Sequence, residues 1–420
     1  MREMKYSGVE WIEDIPASWN MIRFKDKYKS TKEIAGESST EYERLALTLG
    51  GVIKRPKDDS EGLQPKAFDG YQILRENDFI FKMIDLQNIS TSRVGLSPYT
   101  GLVSPAYIRF QAKNKNQFNK YVYYYLMSMY YNCVFNSLGG NGVRSALNAS
   151  DMGTLMIPFP PENEQMLVVE TIEHQTEKVD SLIANQQTQI EKLKAYKQSL
   201  ITEVVTKGLD PTAPMKDSGV EWIGEIPASW QVGRIKNILS ESGERTKSGK
   251  EEPLSMSQKC GLIPTKQMDI VPNIASSFGN CKIVHTGDLV FNKLKAHLGV
   301  FATSDYNGLV SPDYAVYQPK PNVDVKYFEL LFKTPQYVGQ FIKNSRGIAQ
   351  GLTRLYTGDL FSIYVAIPPY EKQREISSVI TMRFAKIDRL IAIKQTKIEK
   401  LEQYKKSLIY EYVTGKKEAM

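Results

Sequence analysis

The residues of this chain that could do covalent chemistry do not assemble into a catalytic set. Ile367-Pro368-Pro369-Tyr370 comes close to the polar-Pro-Pro-aromatic motif with which adenine amino-methyltransferases hold a target amino group, but isoleucine stands where a hydrogen-bond acceptor is required. The glycines of Leu138-Gly139-Gly140-Asn141-Gly142 follow a helical pattern instead of a strand, so they read as a loop and not as a cofactor cradle. No GxxxxGKS or GxxxxGKT phosphate loop occurs, and ATP hydrolysis by this chain is not expected. Cys260, Cys281, His285 and His297 have the spacing of no common zinc module, so no metal is expected. His174 lies in a helical pattern without a serine or cysteine partner and reads as a solvated or interhelical residue. Asp58-Asp59 and Glu251-Glu252 read as solvated turns.

For a nucleic acid, one of the anionic partners that the basic balance admits, the groups that matter are those that reach a base edge or a phosphate. Arginine pairs bidentately with guanine and Asn or Gln with adenine, while Lys and Arg on phosphate set the register. Two loop-like stretches offer such groups just before long helical patterns: GGNGVRSALN, with Asn141 and Arg144, and SRGIAQGLTR, with Arg346, Gln350, Thr353 and Arg354. Lys82 and Arg93 in the first half, and Lys293, Lys295 and His297 in the second, stand at or after a strand pattern. Ordinary surface charge competes with this reading at each position. The net charge of +7 and a pI near 8.9 favour an anionic partner.

The 420 residues suffice for two or three domains. The opening MREMKYSGVEWIED has no apolar core behind its charges, and no later stretch approaches the roughly 18 apolar residues of a membrane span, so a cytoplasmic protein without membrane contact is expected. Three cysteines without a CxxC pair fit a reducing compartment.

Self-comparison supplies the architecture. MKYSGVEWIEDIPASWNMIRFK (Met4 to Lys25) recurs as MKDSGVEWIGEIPASWQVGRIK (Met215 to Lys236). GLVSPAY (Gly101 to Tyr107) recurs as GLVSPDY (Gly308 to Tyr314), and IEKLKAYKQSLITEVVT (Ile190 to Thr206) as IEKLEQYKKSLIYEYVT (Ile398 to Thr414). The four tryptophans, Trp11, Trp19, Trp222 and Trp230, flank the Ile-Pro-Ala-Ser turn. They read as anchors of that segment and not as base-stacking platforms.

Each repeat ends in a long helical pattern that opens at Pro160-Pro161 or Pro368-Pro369 and stops at Gly208 or Gly415. In the first, a heptad places Thr176, Ile183, Ile190, Lys197 and Val204 at one seam position and Ile172, Val179, Gln186, Leu193 and Leu200 at the other. The second repeats it with Phe384, Ile391, Ile398, Lys405, Tyr412 and Ile380, Ile387, Lys394, Leu401, Leu408. At about 65 Å each, such helices outrun an ordinary domain and are expected to bury each other. They run antiparallel if a pseudo-two-fold axis relates the halves, with Gln186, Lys394, Lys197 and Lys405 fixing the register. Ahead of each helix lie short strand patterns (Tyr71 to Leu74, Phe79 to Met83, Tyr107 to Gln111; Lys282 to His285, Leu289 to Phe291, Tyr314 to Gln318). Helical stretches are expected over Lys120 to Phe135 and Lys326 to Ile342. The predicted plan is α/β: two tandem, pseudo-symmetric mixed α/β domains (1–159 and 215–367), two long coiled-coil helices (160–207 and 368–414), a linker at 208–214 and a tail at 415–420.

Four motifs in fixed order, twice over, make the whole chain resemble the specificity subunit of a type I restriction-modification enzyme: SGVEWIGEIPASW, GLVSP, the IPxPPxxEQ-like opening of the helix and IEKLxxYKxSLI within it. The second helix departs from the pattern by placing Lys372, not an acid, before Gln373. The resemblance implies two target recognition domains, each reading one half of a split, asymmetric site on double-stranded DNA, with an antiparallel coiled coil as the ruler between them. It also implies two adenine methyltransferase subunits as partners, with a motor and nuclease subunit for restriction. S-adenosylmethionine and ATP would belong to those partners, so this non-catalytic chain needs no cofactor. A fused enzyme with unread motifs and a coiled-coil scaffold that ignores DNA are the competing readings.

Overall fold

The computed structural model describes residues 2–59, 67–84, 86, 93–138, 146–257, 260–268, 279–349 and 352–419. The chain forms two compact units, Met1–Gln187 with Gln395–Met420, and Thr188–Lys394. Each long helix therefore contributes one half to each unit.

In the first unit the strands Tyr28–Ser30, Ile108–Ala112, Phe79–Lys82 and Arg93–Leu96 form an antiparallel sheet in that spatial order. A second sheet orders Gly51–Arg55, Arg44–Thr48, Gly101–Val103 and Gln72–Leu74. Strand side chains alternate between faces, and Phe79-Ile80-Phe81 uses both. Phe79 and Phe81 enter the aromatic core with Phe24, Tyr28 and Phe110, whereas Ile80 packs with Leu45, Leu47 and Val52. The second unit repeats the device: Leu289 and Phe291 join the large core and Val290 the small one, in a sheet of Leu239–Glu241, Tyr314–Pro319, Leu289–Asn292 and Phe301–Thr303. The glycine of GLVSP has a steric reason. A Cβ on Gly101 would stand 2.6 Å from the Glu43 carbonyl oxygen, and one on Gly308 would stand 2.3 Å from that of Glu252.

The tyrosine-rich helical stretches are each broken, where continuous helices were expected. Lys120–Tyr131 is followed by Val134–Leu138 after Cys133 takes a positive φ of 56°. Val325–Phe332 is followed by Pro335–Lys343, because proline cannot extend a helix and pushes the preceding Thr334 into extended backbone. Trp19 and Trp230 are buried, edge-on to Tyr121 and Tyr327, while Trp11 packs on Tyr125 and Trp222 on Tyr337. All four anchor their own unit.

The long helices span Glu162–Lys207 and Tyr370–Val413, of 46 and 44 residues. Their shared Gln explains the opening motif: buried Gln165 donates to the Pro160 carbonyl and buried Gln373 to that of Pro368, each at 2.8 Å. At the other ends, Gly208 and Gly415 take positive φ and lie against the Ile-Pro-Ala-Ser-Trp turns. A Cβ on Gly208 would meet Pro227 and Trp230, and one on Gly415 would meet Pro16 and Trp19. Tyr327 donates to the Val205 carbonyl and Tyr121 to that of Val413, both at 2.8 Å. These are carbonyls of the last helical turns, which lack intrahelical partners. Each tyrosine thus ties down the end of the helix that belongs to the other repeat.

The seam is buried or half-buried throughout: Ile190, Leu200, Ile398 and Leu408 are buried, and Ile183, Leu193, Ile391 and Leu401 half-buried. In the second unit Gln189 accepts from Lys394 and Asp388 accepts from Lys197, so the pairing partner falls as the residue number rises and the helices are antiparallel. The Lys197 ammonium lies 2.7 Å from both Asp388 oxygens. In the first unit Lys405 makes the identical pair with Asp180. His174 is exposed on its helix.

Candidate nucleic-acid interface

Both units place the end of the central strand and the segment before a short helix side by side. The amide of Leu147 donates to the Met83 carbonyl at 3.2 Å, and that of Leu355 to the Lys293 carbonyl at 3.0 Å. The short helices follow immediately, at Ala149–Gly153 and Thr357–Ser362. Loop and strand end thus form one surface in each unit, although they stand far apart in the sequence.

In the second unit this surface gathers Lys293, Thr353 and Arg354 with Arg346. The strands Arg346–Ala349 and Leu352–Arg354 form a hairpin in which Arg346 faces Arg354 and Gly347 faces Thr353. Like charges directly opposed across strands repel, and here carboxylates from outside the hairpin balance them. Asp359, in the first turn of the short helix, holds Arg346 at 2.5 Å, and Asp313 lies 3.5 Å from Arg354. Both guanidinium groups lie about the Tyr356 ring, with Cζ to centroid distances of 6.0 and 5.6 Å. Arg346 stays largely exposed, with 69% of its side-chain surface free. Half-buried Lys293 is held below the ordinary lysine range by burial, and Lys282 and Arg354 push it the same way. Lys282 is buried beside Glu241 at 3.5 Å, and Glu241 and Asp313 act on Lys293 in the opposite sense. Lys295 is exposed at the next turn, Ala296–Leu298. His297 is in that turn, and its side chain lies outside the described residues, as does Gln350.

In the first unit Lys82 and Arg93 face each other across neighbouring strands, both half-buried. This is a second like-charge pair at the corresponding strand end. A third, Arg44 opposite Arg55, lies on the other sheet, where Arg44 covers the Phe68 ring and Arg55 pairs with Asp59. Asn141 and Arg144 lie outside the described residues.

The sequence reading missed Lys282, Asp313, Tyr356 and Asp359. Only Asp313 carried a signal: it replaces Ala106 within the otherwise identical GLVSP-Tyr block. Behind the surfaces, the units differ in a buried ionic network. In the first, Arg109 bonds Asp78 at 2.6 Å and Glu33 at 3.1 Å, and Glu33 also holds Arg75 at 2.5 Å. In the second, His285 meets Glu244 at 2.9 Å, and buried Asp288 accepts only backbone and longer-range help, because Val316 stands where Arg109 would be. Burial raises the Asp288 carboxyl, against the His285 amide that it accepts. Cys281 is buried and Cys260 exposed. Among the described residues no cluster of three or more His, Cys, Asp or Glu is placed to hold a metal, and no helix is long and apolar enough to cross a membrane.

The family model for the type I restriction modification DNA specificity domain matches residues 51–194 and again 227–403. The chain belongs to this family. Two curated relatives come from Methanocaldococcus jannaschii. The type I restriction enzyme MjaVIII specificity subunit is 23% identical, over 96% of this chain and 93% of that one. The putative MjaX specificity subunit is 27% identical, over 96% and 95%. Among solved structures, a chain from a study of complex assembly and conformational transition of the type I R-M system superposes with a TM-score of 0.67 at 13% identity, covering 96% of this chain and 99% of that one. The HsdS subunit from Thermoanaerobacter tengcongensis gives 0.50 at 14% identity, over 96% and 98%. These likenesses establish the fold: two specificity domains in tandem with paired long helices. The chain is a DNA specificity subunit, with a recognition role and not a catalytic one.

Proposed function

We propose that each unit reads one half of a bipartite, asymmetric site on double-stranded DNA through the surface where strand end and loop meet, while the paired helices set the gap. The recognition domains are 1–159 and 215–367, spaced by the helices 160–207 and 368–414. The observation that carries this reading is the recurrence of one junction, Leu147 on Met83 and Leu355 on Lys293, beneath unlike basic groups. Such an arrangement keeps the scaffold while the bases read differ. Lys293, and Lys82 with Arg93, serve as phosphate contacts that set register. Lys295, Thr353 and Arg354 extend the surface of the second unit, and Asn141, Arg144, His297 and Gln350 are proposed as DNA contacts from the sequence alone.

The partners are two adenine methyltransferase subunits, docked along the paired helices and acting on an adenine flipped beside each half-site, with motor and nuclease subunits for restriction. A cytoplasmic location goes with these partners. The chemistry and its S-adenosylmethionine and ATP belong to those partners. Mapping methylated adenine genome-wide, in cells carrying the methyltransferase with and without this chain, tests the reading. A split asymmetric motif that vanishes with the chain is expected. An unchanged pattern with an active methyltransferase would overturn it.

A further inference from the structure

The facing arginines of the second hairpin are an arrangement that folding alone does not favour. Opposed like charges cost stability, yet three groups from outside the hairpin hold this pair in place: Asp359, Asp313 and Tyr356. Two of these groups have lost or never had that task in the first unit. Asp151, at the same place in its short helix, accepts the Asn148 amide at 2.8 Å in a capping box. Asp359 instead gives one carboxylate oxygen to Arg346 and keeps the other buried, while Tyr356 at the N-cap makes no side-chain bond to the helix. Asp313 has replaced Ala106 in a block that is otherwise copied. A carboxylate in the first helical turn that bonds an arginine and not its own N-cap amide, and a surface carboxylate beside the second arginine, point to a guanidinium whose direction matters.

A phosphate can be held by a mobile lysine acting as a point charge. Direction matters for a base edge, where the planar fork must meet O6 and N7 of guanine together. Arg346 is the exposed member of the pair, gripped at one nitrogen by Asp359, with the rest of the group open. Arg354 is three-quarters covered and beside Lys293, a position suited to the backbone.

We infer that Arg346 reads a guanine in the half-site of the second unit and that Asp359 is its positioning residue. This rests on the DNA-reading function proposed above. The test is selection from a duplex pool with randomised positions by the full chain assembled with its methyltransferase subunits, comparing wild type with Arg346→Ala, Arg346→Lys, Asp359→Asn and Asp359→Glu. The wild type is expected to select a split motif with a guanine in one half. Arg346→Ala and Arg346→Lys should each reduce preference for that guanine by about tenfold or more. Asp359→Asn should weaken the same position alone, and Asp359→Glu should restore part of it. The other half of the motif serves as the internal control for folding and should not change. Uniform weakening over all positions, or loss of a preference for another base, would overturn the assignment and leave the DNA-reading function standing. A wild-type complex without any sequence preference would overturn the function itself, and this inference with it.

Discussion

A buried carboxylate is tolerable when a cation lies against it and costly when the cation is taken away. Asp78 and Asp288 occupy the same place in the two units and test this rule within one molecule. Asp78 bonds the fully buried Arg109 guanidinium, whereas Asp288 has the His285 amide. Asp78→Asn leaves the buried Arg109 with Glu33 as its carboxylate partner and should cost the first unit about 3 kcal/mol, the low end for a broken buried pair. Asp288→Asn keeps an acceptor for the amide and should stay within about 1 kcal/mol of wild type. Chemical unfolding of the two variants checks the contrast. The pH dependence has a definite sign. Because burial raises the folded-state pKa of Asp288 above its unfolded value, its stabilising contribution is complete below the unfolded value, about pH 4, and is lost as pH rises through the folded value. Asp288→Asn does not titrate, so it compares most favourably with wild type at neutral pH and least favourably in acid. Equal effects of both substitutions at pH 7 would sink the argument. None of this was legible in the sequence, since Asp78 and Arg109 are 31 residues apart and become partners only through the pairing of their strands.

At the scale of elements, the helix ends carry more of the design than the seam ion pairs. Lys405–Asp180 and Lys197–Asp388 are exposed at their acidic members and are worth at most about 1 kcal/mol each. Their value is in fixing register, because each lysine occupies a seam position that an aliphatic residue would otherwise fill. The tyrosine bonds to Val413 and Val205 are buried. Removing either leaves a desolvated carbonyl, at a cost of about 1–3 kcal/mol. Tyr121→Phe should raise hydrogen exchange over residues 408–414, and Tyr327→Phe over 200–207, each without touching the other end. Exchange that rises along the whole helix, or at neither end, would contradict local tethering. Much of this scale could be read beforehand. Proline openings, glycine stops and the heptad depend on local sequence, and the helices start within two residues of the expected prolines. The break at Cys133 was missed because the apolar and tyrosine pattern resumes directly after it, whereas the one at Pro335 was signalled by Lys-Thr-Pro-Gln and was passed over by carrying the helix through the proline. The hairpin around Thr353 was missed because Gly and polar residues describe a loop and a tight hairpin equally well.

At the scale of the whole molecule, the repeat was legible because both copies must satisfy the same packing: the GLVSP glycine against a carbonyl, the Ile-Pro-Ala-Ser-Trp turn against a helix end. The base code was not legible, because on the reading proposed above it depends on which carboxylate aims which arginine, a matter of how segments pair and not of local sequence pattern. If the paired helices are the ruler, their length and not their surface sets the gap between the half-sites. A matched heptad added to both helices keeps the seam in phase and lengthens the pair by about 10 Å, which corresponds to about three base pairs of duplex. The bases selected by each half should stay the same while the tolerated gap grows by that amount. A heptad added to one helix alone removes Lys197 from Asp388 or Lys405 from Asp180 and misaligns the polar seam, so the assembled complex should lose stability and not acquire a new gap. Selected motifs read by adenine methylation distinguish these outcomes, and altered bases at an unaltered gap in the double insertion would show that the helices tune recognition rather than distance.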